Sequence, residues 1–288
     1  MKFLRGLAAV VMLVGLVGAC KDHTSVTTVA TTAKAGATTA PTTGPSFAAL
    51  CAAAEQGDAE VQYKLGVCYE TGAGVTPDPV AAVKWYGKAA EQGFAGAQCA
   101  LGNSYYGGVG LEKDLGQAVA WFRKSAEQGY VKAQYNLGVC YENGFGVEKD
   151  LAQAVAWYRK AAEQGDAMAQ TNLGSCYTEG TGVEKNLVEG AKWFRMAAEQ
   201  GRDDAQYNLG ICYYLGMGVE QDFAQAVTWF RKSAEQGYAE AQFNLGMCYG
   251  KGSGVENNLT EAEKWIRKAA AQGFEPAKDM LRKMGVKP

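Results

Sequence analysis

Eight cysteines, one histidine and a glutamate that recurs every 36 residues are the side chains in this 288-residue sequence best suited to covalent, metal-binding or acid–base chemistry. The glutamate belongs to Glu55-Gln56, which reappears in copies up to Glu235-Gln236. A catalytic carboxylate pair is a singular constellation whose two environments drive the two acidities apart. Equivalent glutamates at the ends of equivalent segments read instead as solvated helix-end residues. His23, the only histidine, lies in a Thr/Ala-rich stretch, so a Ser-His-Asp triad has no base. No His-Glu-x-x-His and no calcium loop occurs, and the Gly-x-Gly-Val turns never extend to a phosphate-binding loop.

The cysteines are the more serious candidates. Cys68, Cys140, Cys176, Cys212 and Cys248 occupy one column of a repeat, with Ser104 in the remaining copy. Neighbouring copies of one column are separated by about one helix-packing distance, 8–10 Å, whereas a disulfide tolerates Cα separations only up to about 7 Å. The column therefore reads as small, buried, reduced thiols. Cys51 and Cys99 lie off the column, and a bridge from Cys99 to Cys68 or Cys140 stays open. These residues imply no catalytic residue, no metal and no cofactor.

What positions these residues is a ruler. Trp85, Trp121, Trp157, Trp193, Trp229 and Trp265 stand 36 residues apart, and Leu65-Gly66 recurs on the same spacing through Leu245-Gly246. Of 37 glycines, 25 fall in the columns of Gly57, Gly66, Gly72 and Gly74, so glycine here is punctuation rather than low complexity. Such a chain is an array whose units touch only their neighbours.

In the copy from Tyr130 to Gly165, Ala133, Leu137 and Tyr141 recur at i, i+4 and i+8, one stripe of a helix. Gly138 in its middle costs about 1 kcal/mol against alanine, which implies another backbone pressed against it. The turn Gly144-Phe145-Gly146-Val147 follows. Asp150 with Gln153 then forms a capping-box pattern that opens a second helix. That helix buries Leu151, Ala154, Val155, Tyr158, Ala161 and Ala162, and Gly165 closes it. The tryptophan of each second helix is expected to seal one hairpin against the next.

The pattern Ala-x-Ala-Gln-x-x-Leu-Gly-x-x-Tyr-x-x-Gly-x-Gly-Val, then Trp-Tyr/Phe-Arg-Lys-Ala-Ala-Glu-Gln-Gly, resembles the Sel-one-like repeat. That family is a cousin of the tetratricopeptide repeat, whose unit is about 34 residues. The expected fold is all-α: a right-handed α-solenoid of six 36-residue helix hairpins over residues 58–273, with partial capping helices at 47–57 and 274–288. Arg282 stands where a first helix would carry its packing glycine, which suits a cap. Cysteine-rich relatives described as penicillin-binding or β-lactam-hydrolysing resemble a different plan, with a cysteine pair stapling each repeat. This chain lacks that plan and lacks any Ser-x-x-Lys.

The N-terminus reads as an address. Lys2 and Arg5 precede the uncharged run Gly6 to Ala19, too short for a bilayer core that takes roughly 20 residues. Leu16-Val17-Gly18-Ala19-Cys20 resembles a bacterial lipobox, which implies a signal peptide over 1–19 and acylation of Cys20. An ordinary secretory signal is the alternative. Lys21 after that cysteine favours the outer membrane, facing the periplasm, over the inner membrane. Residues 20–46, rich in Thr and Ala, are expected to form a tether of roughly 25–30 Å reach. Net charge is −2, with no basic face for nucleic acid.

Internal comparison suggests where a partner would sit. On each first helix, the face opposite Leu137 and Tyr141 carries the columns of Tyr63, Val67 and Thr71. Tyr63, Val67, Tyr135, Val139, Tyr207, Ile211, Leu215, Phe243 and Met247 form an apolar strip that the hairpin itself does not need. The polar copy Thr171, Ser175, Glu179 divides it. One reading makes the strip a recognition groove; the other packs the column of Tyr63 against the next repeat. The functional expectation is a monomeric, membrane-anchored scaffold binding a protein or peptide. The alternatives are a β-lactam-binding or hydrolysing envelope protein and a lipoprotein assisting polysaccharide export.

Overall fold

Asp78, Asp114, Asp150, Asn186, Asp222 and Asn258 each accept a backbone N–H from the first turn of the helix they precede. These are the second helices of the hairpins, and the cap fixes where each begins. Only half of the capping box forms. The Asp150 amide donates to the Tyr141 carbonyl at 2.9 Å rather than to Gln153, tying the start of one helix to the end of the other.

The computed structural model describes residues 46–285. These fall into two compact units, each an all-α solenoid of stacked helix hairpins. The first unit holds α1 (Phe47–Ala54), α2 (Ala59–Thr71), α3 (Pro79–Glu91), α4 (Ala95–Gly107), α5 (Leu115–Glu127), α6 (Val131–Asn143) and α7 (Leu151–Glu163). The second holds α8 (Ala167–Glu179), α9 (Leu187–Glu199), α10 (Asp203–Leu215), α11 (Phe223–Glu235), α12 (Ala239–Lys251), α13 (Leu259–Ala271) and α14 (Glu275–Lys283). No strand occurs among the described residues.

Within a hairpin, the glycine of the first helix admits a ring. A Cβ added at Gly138 would lie 2.6 Å from the Tyr158 ring and 3.3 Å from the Ala154 carbonyl. The expected backbone contact is thus led by a side chain, the buried tyrosine of the partner helix. Gly102 admits Phe122 and Gly210 admits Phe230 in the same way. The ends of the hairpin are closed by a glutamine pair: Gln164 Nε2 donates to Gln134 Oε1 at 2.8 Å. Gln134 in turn donates to the Ala126 carbonyl of the preceding hairpin at 3.2 Å. Equivalent pairs join Gln92 to Gln62, Gln236 to Gln206 and Gln272 to Gln242. Each satisfies polar groups that burial would otherwise leave costly. The neighbouring glutamates, such as Glu127 and Glu163, are exposed, as expected.

Within each unit, tryptophans join successive hairpins. Trp121 packs on the core around Tyr86, Trp229 on that around Phe194, and Trp265 on that around Phe230. A lysine one turn on covers the outer ring face, with ammonium-to-centroid distances of 3.9 Å for Lys88 on Trp85 and 3.8 Å for Lys160 on Trp157. Met196 takes that place after Trp193.

Candidate partner-binding surface

The first helices position the strip of candidate residues, and the structure encloses most of it. On α6, every residue from Ala133 to Cys140 is buried, so no face of that helix is free. Tyr135 is 1 % exposed, with its ring 5.8 Å from Tyr158. Tyr207 lies between Phe230 at 5.9 Å and Tyr238 at 5.3 Å, and burial pushes its phenol well above the ordinary value. Phe243 is wholly buried, 5.6 Å from Phe274, in one cluster with Met247. Val139 is also fully buried. Tyr135, Val139, Tyr207, Phe243 and Met247 are therefore core residues, which corrects their assignment to an open groove.

Tyr135 is covered within its own hairpin by Tyr158; for Tyr207 and Phe243 the physical reason is a trade at the next helix start. Phe94, Tyr238 and Phe274 occupy N-cap positions and make no side-chain cap bond. Forgoing a cap costs about 1 kcal/mol, but each ring instead covers an aromatic of the preceding first helix. Tyr63 lies 5.2 Å from Phe94 in the same manner, and stays half-buried together with Val67 in one cluster. Tyr63, Tyr207 and Phe243 thus pack against the following repeat.

Four of the nine candidates keep access to solvent. Tyr63 and Val67 are half-buried on α2, Ile211 is half-buried on α10, and Leu215 is 39 % exposed at the end of α10. In the second unit Leu215 adjoins Tyr214, whose ring makes an edge contact with exposed Phe223 at 5.0 Å. On the same unit, Arg195, Tyr213, Glu220, Asp222 and Gln225 line an open polar hollow of about 620 Å³. There the Arg195 guanidinium donates to the Tyr213 hydroxyl at 2.6 Å.

Two polar features were not anticipated. Asn136 Nδ2 donates to Asn103 Oδ1 at 3.0 Å across adjacent first helices. On α8, the buried Asn172 amide and Ser175 hydroxyl have no hydrogen-bond partner. The signal was an asparagine at one position in four successive copies, Asn136, Asn172, Asn208 and Asn244.

The chemistry available is sparse. Among the described residues no group of three His, Cys, Asp or Glu side chains could hold a metal ion. All seven described cysteines are free thiols, so neither bridge considered for Cys99 is formed. Burial pushes the thiols of Cys99, Cys140, Cys212 and Cys248 up to about 12, which keeps them protonated at neutral pH. Cys20 and His23 lie outside the described residues.

The family model of the Sel1 repeat matches residues 59–94, 95–130, 131–166, 167–201, 203–238 and 239–274. A protective antigen present in uropathogenic Escherichia coli strains, displaying an SLR fold, is 39 % identical with a TM-score of 0.78. The match covers 82 % of this chain and 50 % of that one, so this chain spans about half the antigen's length. A Sel1 repeat protein from Oxalobacter formigenes is 38 % identical over 74 % of this chain and 86 % of its own, with a TM-score of 0.67. No curated protein matches the chain.

Proposed function

Because the chain belongs to the Sel1 repeat family, we propose that it is a lipid-anchored scaffold of the bacterial cell envelope that holds a protein or peptide partner. Proteins built from Sel1 repeats act as protein–protein interaction scaffolds. The match of six consecutive hairpins to that repeat is the observation that carries the reading. The partner contacts the apolar residues that the stack leaves open, above all Leu215 with Ile211 and Phe223 beside it. Side chains that become fully desolvated at the centre of an interface carry most of its energy, and an exposed aliphatic and aromatic group here offers such a centre.

Immobilised full-length chain should retain a specific envelope protein. Leu215→Glu should weaken that retention about tenfold or more, a loss of about 1.4 kcal/mol per decade, with an unchanged circular dichroism spectrum. Equal retention by the variant would remove Leu215 from the interface. Retention no better than on an unrelated helical protein would sink the scaffold reading.

The anchor is supported by the lipobox resemblance ending at Cys20 and by the charged, then apolar, segment before it. Lys21, the residue after that cysteine, supports residence in the outer membrane, facing the periplasm, over the inner membrane. Cells expressing the chain should incorporate labelled palmitate into it, and Cys20→Ser should abolish the label. Unlabelled wild-type chain, or label that persists in the variant, would show that Cys20 is not the attachment point.

A further inference from the structure

Seven thiols are described, and they divide sharply. Cys99, Cys140, Cys176, Cys212 and Cys248 are buried in first helices, whereas Cys51 on α1 and Cys68 on α2 are both half-buried. The two open thiols belong to helices packed on each other. Their level along that contact is bracketed on both sides. At one end, Gln62 of α2 donates to the Ala54 carbonyl of α1 at 3.1 Å. At the other, Phe47 of α1 lies edge-on to Tyr69 of α2, with ring centroids 5.5 Å apart. Cys51 follows Phe47 by one helical turn, and Cys68 adjoins Tyr69.

The repeat supports the same register. The position of Cys51 is that of Arg123 in a later second helix, and Arg123 donates to the hydroxyl of Tyr141, the counterpart of Tyr69, at 3.0 Å. Burial raises the pKa of the Cys68 thiol above its ordinary value, and the nearby Cys51 sulfur raises it further.

We propose that Cys51 and Cys68 form a redox-active pair whose oxidation to a disulfide fastens the N-terminal helix α1 to the first full hairpin. One thiolate of the pair attacks a sulfur of an external disulfide, expelling a thiolate and leaving a mixed disulfide. The second thiolate then attacks the bound cysteine sulfur, closes the protein bridge and releases the other external thiolate. Two protein thiols lose two electrons and two protons, and the external disulfide leaves as two thiols. The device suits its place. α1 spans only eight residues and buries Ala54 alone, so it is the edge of the stack with least to hold it. The proposal stands apart from the partner-binding reading and needs only an oxidant of the disulfide class.

Full-length chain incubated with glutathione disulfide and digested with trypsin without reductant tests it, since Lys64 lies between the two cysteines. A linked peptide pair, lighter by two hydrogens than its separate members and lost on reduction, is the expected result. Amide exchange in α1 should slow about tenfold or more on oxidation. Cys51→Ser and Cys68→Ser should each abolish both effects while keeping the helical content of the reduced chain. Separate glutathione adducts on the two cysteines, a bridge to a buried cysteine, or linkage only between two molecules would each overturn the proposal. So would a linked pair that leaves exchange in α1 unchanged.

Discussion

Tyr135→Ala should lower the free energy of unfolding by about 3–5 kcal/mol, the range for deleting a buried aromatic ring. The ring is 1 % exposed and meets Tyr158, which itself fills the space above Gly138, so one deletion loosens both helices of the hairpin. Chemical denaturation followed by circular dichroism measures the change. In an array stabilised by neighbour contacts, loss at an internal hairpin also weakens its coupling to those beside it. The transition should therefore broaden as well as shift. A loss below about 1 kcal/mol would return the ring to the surface and restore the open groove. The same substitution at Leu215, which is exposed, should leave stability within about 0.5 kcal/mol.

Gly146→Ala should cost about 3 kcal/mol or more, from two sources that add. At φ +67° the backbone is left-handed, which costs a non-glycine residue roughly 1–2 kcal/mol. A Cβ there would also lie 2.0 Å from the Leu115 carbonyl oxygen, so the turn would have to lift off the start of α5. Forced overpacking of this kind adds about 1–3 kcal/mol. Gly129 provides the control. Its φ is +88° but nothing lies within 4 Å of the added atom, so Gly129→Ala should cost only the backbone part. Melting temperatures of the two variants decide the matter, and equal losses would show that the Leu115 contact is slack.

The hairpins were legible in the sequence because their boundaries are set locally. Asp114 or Asp150 caps its own helix whatever surrounds it, and Gly144 ends one by adopting φ +75°. The glutamine clamp was legible in principle. Gln134 and Gln164 each belong to a column that never changes, and an invariant polar residue in an array signals a hydrogen bond made in every copy. The adjoining exposed glutamate masks it, since a charged neighbour marks the segment as solvated. The strip containing Tyr207 and Phe243 was harder. Apolar periodicity marks a face that needs covering, but not which neighbour covers it. The answer depends on Tyr238 and Phe274, residues at helix starts where a cap would be expected. Leu215 stands at the last turn of α10 and stays 39 % exposed.

The turn glycines carry a consequence for heredity. Gly146 rests on the Leu115 carbonyl in the first unit, and Gly218 rests on the Leu187 carbonyl in the second with identical closeness. Within each unit, a hairpin thus offers its successor the same socket, as Gly110 on the Pro79 carbonyl and Gly254 on the Phe223 carbonyl repeat. Recombination between two copies of the gene segment removes or adds a multiple of 36 codons, and the socket then meets an equivalent glycine. A frame-preserving loss of one or two codons does not, since it sets a side chain against that carbonyl. Lineages of such chains should therefore differ in length by whole rungs.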